Sequence, residues 1–283
     1  MAGVNLVGDN PTLGFSDATE TGSRTMKPYT RLLPILVGLS GCLDPQIQPS
    51  SLSVSQIKAV LVLPIEAPPL EVTPDLLLTQ QPSLAMLSET IPLDSVLDRK
   101  VYRGPGGVLI AGWVDGTPAA SFNDGKALWI PTMVLAQRIA SQLSSGGAIK
   151  AIVSKRYYKL PRPSEARTAH LENWRYPIRQ WYNQATASID YSRFGADPVD
   201  AVLEVGLGRY SIWEEQVELQ VLMKLIDPHT KQVLGRMSSE TYPTLSHPQA
   251  LLNGDGANFK RFVTQTGTQL IADGLTYFGF ASR

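Results

Sequence analysis

The chain has one cysteine, three histidines, no excess of either charge and no long apolar run. A single cysteine excludes an internal disulfide framework, so the core must hold by packing alone. His170, His229 and His247 stand too far apart for a local metal motif. His229 follows Asp-Pro in a turn-like stretch and His247 precedes Pro248, so no metal site and no cofactor are expected. Twenty-five basic residues balance twenty-five acidic ones, which disfavours nucleic acid as a partner. No segment approaches the roughly 20 apolar residues that a membrane span takes. The nucleophile-elbow GxSxG, the HExxH zinc signature and a glycine-rich phosphate loop are missing too. Gly206-Leu207-Gly208 opens like a dinucleotide fingerprint but lacks its third glycine and its helix. It reads instead as a strand needing close backbone approach, or as a bulge. Glu214 and Glu215 are adjacent and do not face each other as an acid/base pair. A non-enzymatic role is expected.

What is present begins near the amino terminus. Met26, Lys27 and Arg31 lead into the short apolar run Leu32 to Leu39, which closes on Leu39-Ser40-Gly41-Cys42. Basic, then apolar, then small-small-Cys is the pattern of a secretory signal. Its ending resembles the lipobox of bacterial lipoproteins. The resemblance implies that Cys42 receives a diacylglycerol, that the chain is cut before it, and that the new amino terminus is acylated. Several buried acyl chains, each methylene contributing about 0.8 kcal/mol, would hold such a protein on a membrane. Residues 1–41 are thus expected to be a signal peptide. The polar, acidic stretch 1–25 suits a signal poorly, and Met26 is the expected start. Leu43 stands where an aspartate would resemble an inner-membrane retention signal. That favours an outer-membrane lipoprotein with its domain in the periplasm. Residues 42–56, rich in Pro, Gln and Ser, read as a flexible tether reaching about 20 Å.

Residues 57–283 read as one globular domain. Ile57 to Ile65 is a nearly continuous apolar run of strand length, suited to burial on both faces. Residues 66–128 carry repeated prolines and read as a long excursion, with a strand over Val108 to Val114. Ile130 to Leu143 shows a helical stripe (Leu135, Ala136, Ile139, Ala140, Leu143), with Pro131 in the first turn and Gly146-Gly147 after it. Ala148 to Val153 returns as a strand, and 154–196 is a polar, aromatic insertion. Alternation at Ala201 to Leu207 and at Val217 to Leu225 predicts antiparallel strands, followed by a hairpin turn at Asp227-Pro228-His229-Thr230 and a partner strand over Gln232 to Glu240. Asn258 to Thr276 is expected as a closing helix with Phe259, Phe262, Val263, Leu270 and Ile271 inside. The order predicts an α/β (α+β) domain: a mixed sheet, antiparallel at its C-terminal end, covered by helices.

Several landmarks carry a further likeness. They are Leu63-Pro64 closing the first strand, the helix ending at Leu143, Asp200 before an alternating strand, and Leu225-Ile226-Asp227 with Thr230. Together they resemble the envelope lipoproteins that share the TolB amino-terminal-domain fold, the curli-secretion-channel lipoprotein and peptidoglycan-synthase activators among them. The resemblance implies the fold. It transfers no functional residue.

Between 155 and 193 stand eight basic residues, three acidic ones and seven aromatics. Arg, Trp and Tyr anchor protein interfaces through large buried area and directed polar groups. Arg156, Tyr157, Tyr158, Trp174, Arg175, Tyr176, Arg179, Trp181 and Tyr182 are therefore the expected contact residues. The alternative is that the aromatics cover a sheet and the arginines solvate its outside. The expected function is that of a lipid-anchored accessory or assembly subunit of a secretion, transport or cell-wall complex. A subunit of a homo-oligomeric ring or secretion channel is the alternative. The expected partners are the membrane through Cys42, an envelope protein, further copies of the chain, or a glycan or lipid head group.

Overall fold

The computed structural model describes residues 43, 45–73, 101–104, 107–110, 129–161, 172–194, 198–213 and 215–280. The expectations for the signal segment, Cys42, most of the 66–128 excursion and His170 lie outside them. In chain order the elements are α1 (Ser51–Ser55), β1 (Ala59–Pro64), β2 (Leu70–Thr73), β3 (Val101–Gly104), β4 (Gly107–Ile110), α2 (Pro131–Ser145) and β5 (Lys150–Val153). Then come α3 (Glu172–Asn183), β6 (Ala201–Trp213), β7 (Gln216–Ile226), β8 (Val233–Thr241) and α4 (Asn253–Tyr277). The fold is α/β, one mixed eight-stranded sheet with helices packed on both faces.

The spine of the sheet is β6. Along one side it pairs with β7, antiparallel, and β7 pairs with β8 in the same sense. The other side is shared. The first half of β6 takes β1 in parallel, with β5 parallel beyond it. The second half takes β2 in parallel, followed by the β4–β3 hairpin. The sheet therefore forks, because β1 ends at Pro64 while β6 runs on for eight more residues.

Apolar side chains leave β1 in both directions. Val60 and Val62 join α2 and α4 in the main core, while Leu61 and Leu63 pack under α3 on the opposite face. The α2 stripe is buried as its spacing requires, and Gly147 adopts the left-handed φ of 69° that ends the turn. Asp200 ties the strand ends together: its Oδ2 accepts from the backbone N–H groups of Lys58 and Ala59, both at 2.8 Å. Those two donors hold its carboxyl below the usual carboxylate range. The hairpin turn forms where expected, with Asp227 Oδ1 accepting from the N–H of His229 at 2.8 Å. The last helix starts at Asn253, earlier than expected, because helix continues through the Gly254-Asp255-Gly256 stretch. It lies close to its neighbours through Gly267, set against Leu135, and Gly274, set against Met223 and Met237.

One expectation is corrected. Residues 45–56 are not a flexible coil. Ile47 pairs with Arg236 on the open edge of β8, exchanging backbone hydrogen bonds of 2.8 and 2.9 Å. Pro49 sits against Gly235, and α1 buries Val54. The apolar residues scattered among Pro, Gln and Ser find partners only once the sheet edge exists.

Candidate functional site

In open α/β sheets, ligands commonly bind beyond the carboxyl ends of the parallel strands. Here the chain fills that crevice itself. Tyr158 continues the pairing past β1, its N–H donating to Pro64 O at 2.9 Å and its carbonyl accepting from Glu66 N at 2.8 Å. Its ring meets Phe194 edge to face at 6.2 Å, and Glu66 Oε2 accepts from Leu160 N at 3.1 Å.

Helix α3 covers the lower half of the sheet's second face. Ile178, Trp181 and Tyr182 point inward, and Trp181 lies against Gly206, where a Cβ would come within 2.8 Å of the indole. Beneath it Glu204 and Lys224 form a fully buried ion pair at 3.4 Å. Both carboxylate oxygens of Glu204 are used: Trp181 Nε1 donates to Oε2 at 2.7 Å and Tyr191 OH to Oε1 at 2.9 Å. Burial and the neighbouring carboxylate push the Tyr191 phenol well above its ordinary range. Burial lowers the Lys224 pKa, and the Glu204 carboxylate pulls the other way.

The carbonyls at the end of a helix lack intrahelical donors. The last turn of α3 holds no basic residue, and the sheet supplies two. Lys224 Nζ donates to Trp181 O at 2.8 Å, and an Arg236 guanidinium nitrogen donates to Tyr182 O at 3.3 Å and Asn183 O at 3.0 Å. Arg236 Nε also donates to Pro45 O at 3.1 Å. One buried arginine thus fixes α3, β8 and the amino-terminal segment to one another.

Beyond α3 the same face becomes polar. A cleft of about 710 Å³ opens between α3, the residues Leu43, Pro45 and Gln46, and the far halves of β6, β7 and β8. Its floor is networked. Ser211 Oγ donates to Glu218 at 3.0 Å, and Gln220 Nε2 donates to Ser238 Oγ at 3.0 Å and to Glu240 at 2.8 Å. Across the wall, Arg175 bridges to Glu71 at 2.9 Å. The bulge after Leu207 re-aims β6 here, and Gly208 leaves room for Gln220, whose amide oxygen would collide with a Cβ. At the rim Arg209 donates to Tyr242 OH at 3.1 Å, and Trp213 leaves 56% of its surface exposed. Burial and a hydrogen bond with Glu240 push the Tyr242 phenol up to about 12.

Of the residues the sequence singled out, α3 gathers six. Arg175 and Arg179 line the cleft, Tyr176 is exposed on the outer face, and Trp174 is half-buried. Trp181 and Tyr182 are a correction: both are buried under α3 and are core residues rather than contact residues. Arg156 is exposed at the plugged crevice, beside half-buried Tyr157 and Tyr158, away from the cleft lining. The sequence reading missed Glu71, Arg209, Trp213, Glu218, Gln220, Ser238 and Glu240. The signal was the polar side of the strand alternation, where Ser211 and Trp213, Glu218 and Gln220, and Ser238 and Glu240 recur two apart on adjacent strands. Among the described residues, no group of three or more His, Cys, Asp or Glu is placed to hold a metal ion. No described helix is long and apolar enough to cross a membrane.

The chain matches no protein-family model and no curated protein sequence. Among solved structures it is similar to a PelC dodecamer from Paraburkholderia phytofirmans, at 11% identity over 84% of this chain and 96% of that one, with a TM-score of 0.34. It is similar to protein XCC0632 from Xanthomonas campestris, at 12% identity over 83% and 92%, with a TM-score of 0.36. A third is a hypothetical protein from Chlamydia trachomatis, at 12% identity over 53% and 85%, with a TM-score of 0.30. Likeness of this degree shows no function.

Proposed function

We propose that this chain is a lipid-anchored protein of the bacterial envelope and serves as a non-catalytic accessory or assembly subunit of a secretion, transport or cell-wall complex. The observation that carries it is the basic–apolar–Leu39-Ser40-Gly41-Cys42 segment, followed almost at once by chain fixed to the sheet edge. Pro45 and Ile47 are already docked, so an acylated Cys42 has a leash of three residues, about 10 Å at full extension. On this reading the body sits against the membrane surface instead of at the end of a longer tether. The amino-terminal half of α3, with half-buried Trp174 and Arg175 and exposed Tyr176, is the surface offered to a partner.

Fractionation and affinity purification of the full-length protein from native membranes test this reading. Wild-type protein is expected in the outer-membrane fraction with a stoichiometric envelope protein, and Cys42→Ser in the soluble fraction. The Trp174→Ala, Arg175→Ala double variant stays with the membrane and loses the partner. One species at many times the protomer mass would assign the chain to a homo-oligomeric ring instead. A lone monomer, or Cys42→Ser still membrane-bound, would sink the proposal.

A further inference from the structure

We propose that the cleft beside α3 is a binding site for a neutral oligosaccharide, with Trp213 as its stacking platform. The choice follows from what the cleft's residues already do. Three arginines (Arg175, Arg179, Arg209) are matched by three glutamates (Glu71, Glu218, Glu240), so the lining selects neither a polyanion nor a polycation. Arg175 is engaged with Glu71, and the carboxylates of Glu218 and Glu240 already accept from Ser211 and Gln220. An anion would have to break these contacts. The apolar lining residues (Leu43, Pro45, Ile178, Tyr182, Ile212 and Trp213) are outnumbered by charged and polar ones, and an acyl chain would leave those polar groups facing hydrocarbon, which disfavours it. A peptide is gripped by an unpaired strand edge, an apolar groove or an arginine cluster. This floor is a sheet face, and on the nearby edge of β8 Ile47 pairs with Arg236 and Gln46 Nε2 donates to Ser238 O at 2.8 Å.

What the cleft offers is hydrogen bonding. Gln220, Glu218, Glu240 and Arg209 are planar groups mounted on rigid strands. Each is held by a neighbour, so little side-chain freedom is lost when a ligand arrives. Such groups suit vicinal hydroxyls. A sugar ring also has a face of C–H bonds, and an indole attracts it because the aromatic face is electron-rich. Trp213 is a large ring left more than half exposed, and it lines this polar cleft rather than covering core. A volume of about 710 Å³ is of the size found for small-ligand clefts. The inference does not depend on lipidation of Cys42.

The test is calorimetric titration of the full-length protein in a detergent without a sugar head group. The probes are cellotetraose, maltotetraose and the tetramer of N-acetylglucosamine, with the tetramer of glucosamine and an oligogalacturonate as charged controls. At least one neutral tetrasaccharide is expected to bind, with an affinity unchanged by added salt. Trp213→Ala should weaken it about tenfold and Trp213→Phe much less, both with unaltered melting curves. Arg209→Ala, an exposed position, provides a second variant that should also weaken binding. Binding that survives both alanine variants overturns the proposal, as does the absence of any neutral response. Tighter, salt-sensitive binding of a charged control would assign the cleft to a polyelectrolyte. Capture of an extended Gly-Ser peptide in place of every sugar would assign it to polypeptide, and either result also overturns the proposal.

Discussion

At the scale of single residues, Tyr210 shows how position in a strand overrides side-chain type. It points from β6 into the main core, its ring tilted against Phe259 at a centroid distance of 5.5 Å. Its hydroxyl is buried with no hydrogen-bond partner among the described residues, and burial pushes the phenol far above its ordinary pKa. A buried hydroxyl left unpaired costs on the order of 1–3 kcal/mol. Tyr210→Phe keeps the ring and removes the orphan oxygen, so it is expected to raise stability by about 1 kcal/mol in urea unfolding. A loss of stability would show that the hydroxyl has an unseen partner. Local chemistry of another kind was fully legible in the sequence. The Asp227 turn follows from its own residues, and Gly206 was marked as a point of close approach, which the Trp181 indole makes it. Glu204 and Lys224 were not legible. In an alternating strand a charged residue reads as facing water, and only a covering helix reverses that.

At the scale of elements, that helix is the lesson. Pro177 inside α3 and the polar composition around it hid a helical stripe that was present at 174, 178, 181 and 182. The strands and α2 were visible because their burial is continuous and periodic, whereas α3 is held by two cations from the sheet as much as by its apolar face. This makes a sharp expectation for the buried pair. Lys224→Met should destabilise by roughly 3–5 kcal/mol, because it leaves the Glu204 carboxylate buried without a counter-charge and Trp181 O without its donor. Adding Glu204→Gln should recover part of the loss, since the amide removes the unpaired charge and its oxygen can still accept from Trp181 Nε1 or Tyr191 OH. Thermal or urea unfolding of both single variants and the double variant measures the coupling. Additive losses would mean that the two charges act independently.

At the scale of the whole molecule, the order of strands and helices predicted a mixed sheet. The fork did not show, because β2, β3 and β4 are four residues each and lie within the proline-rich stretch. The docking of residues 45–56 was equally hidden. Its partners, Gly235, Arg236 and Ser238, are nearly two hundred positions away, and no local signal links them. Arg236 is where this long-range order concentrates, since its backbone pairs with Ile47 while its side chain holds Pro45 and the end of α3. Arg236→Ala removes three charge-assisted hydrogen bonds from three carbonyls in two otherwise separate segments. Such bonds contribute about 1.5–3 kcal/mol each where buried. Amide exchange should therefore quicken at least tenfold in both 45–57 and 178–184, with the strands β6 and β7 unchanged. Because those two segments form two sides of the cleft, a joint response would mean that whatever pulls on the amino-terminal segment also moves a wall of the proposed binding site. Faster exchange in one segment alone would show that Arg236 caps a helix and nothing more.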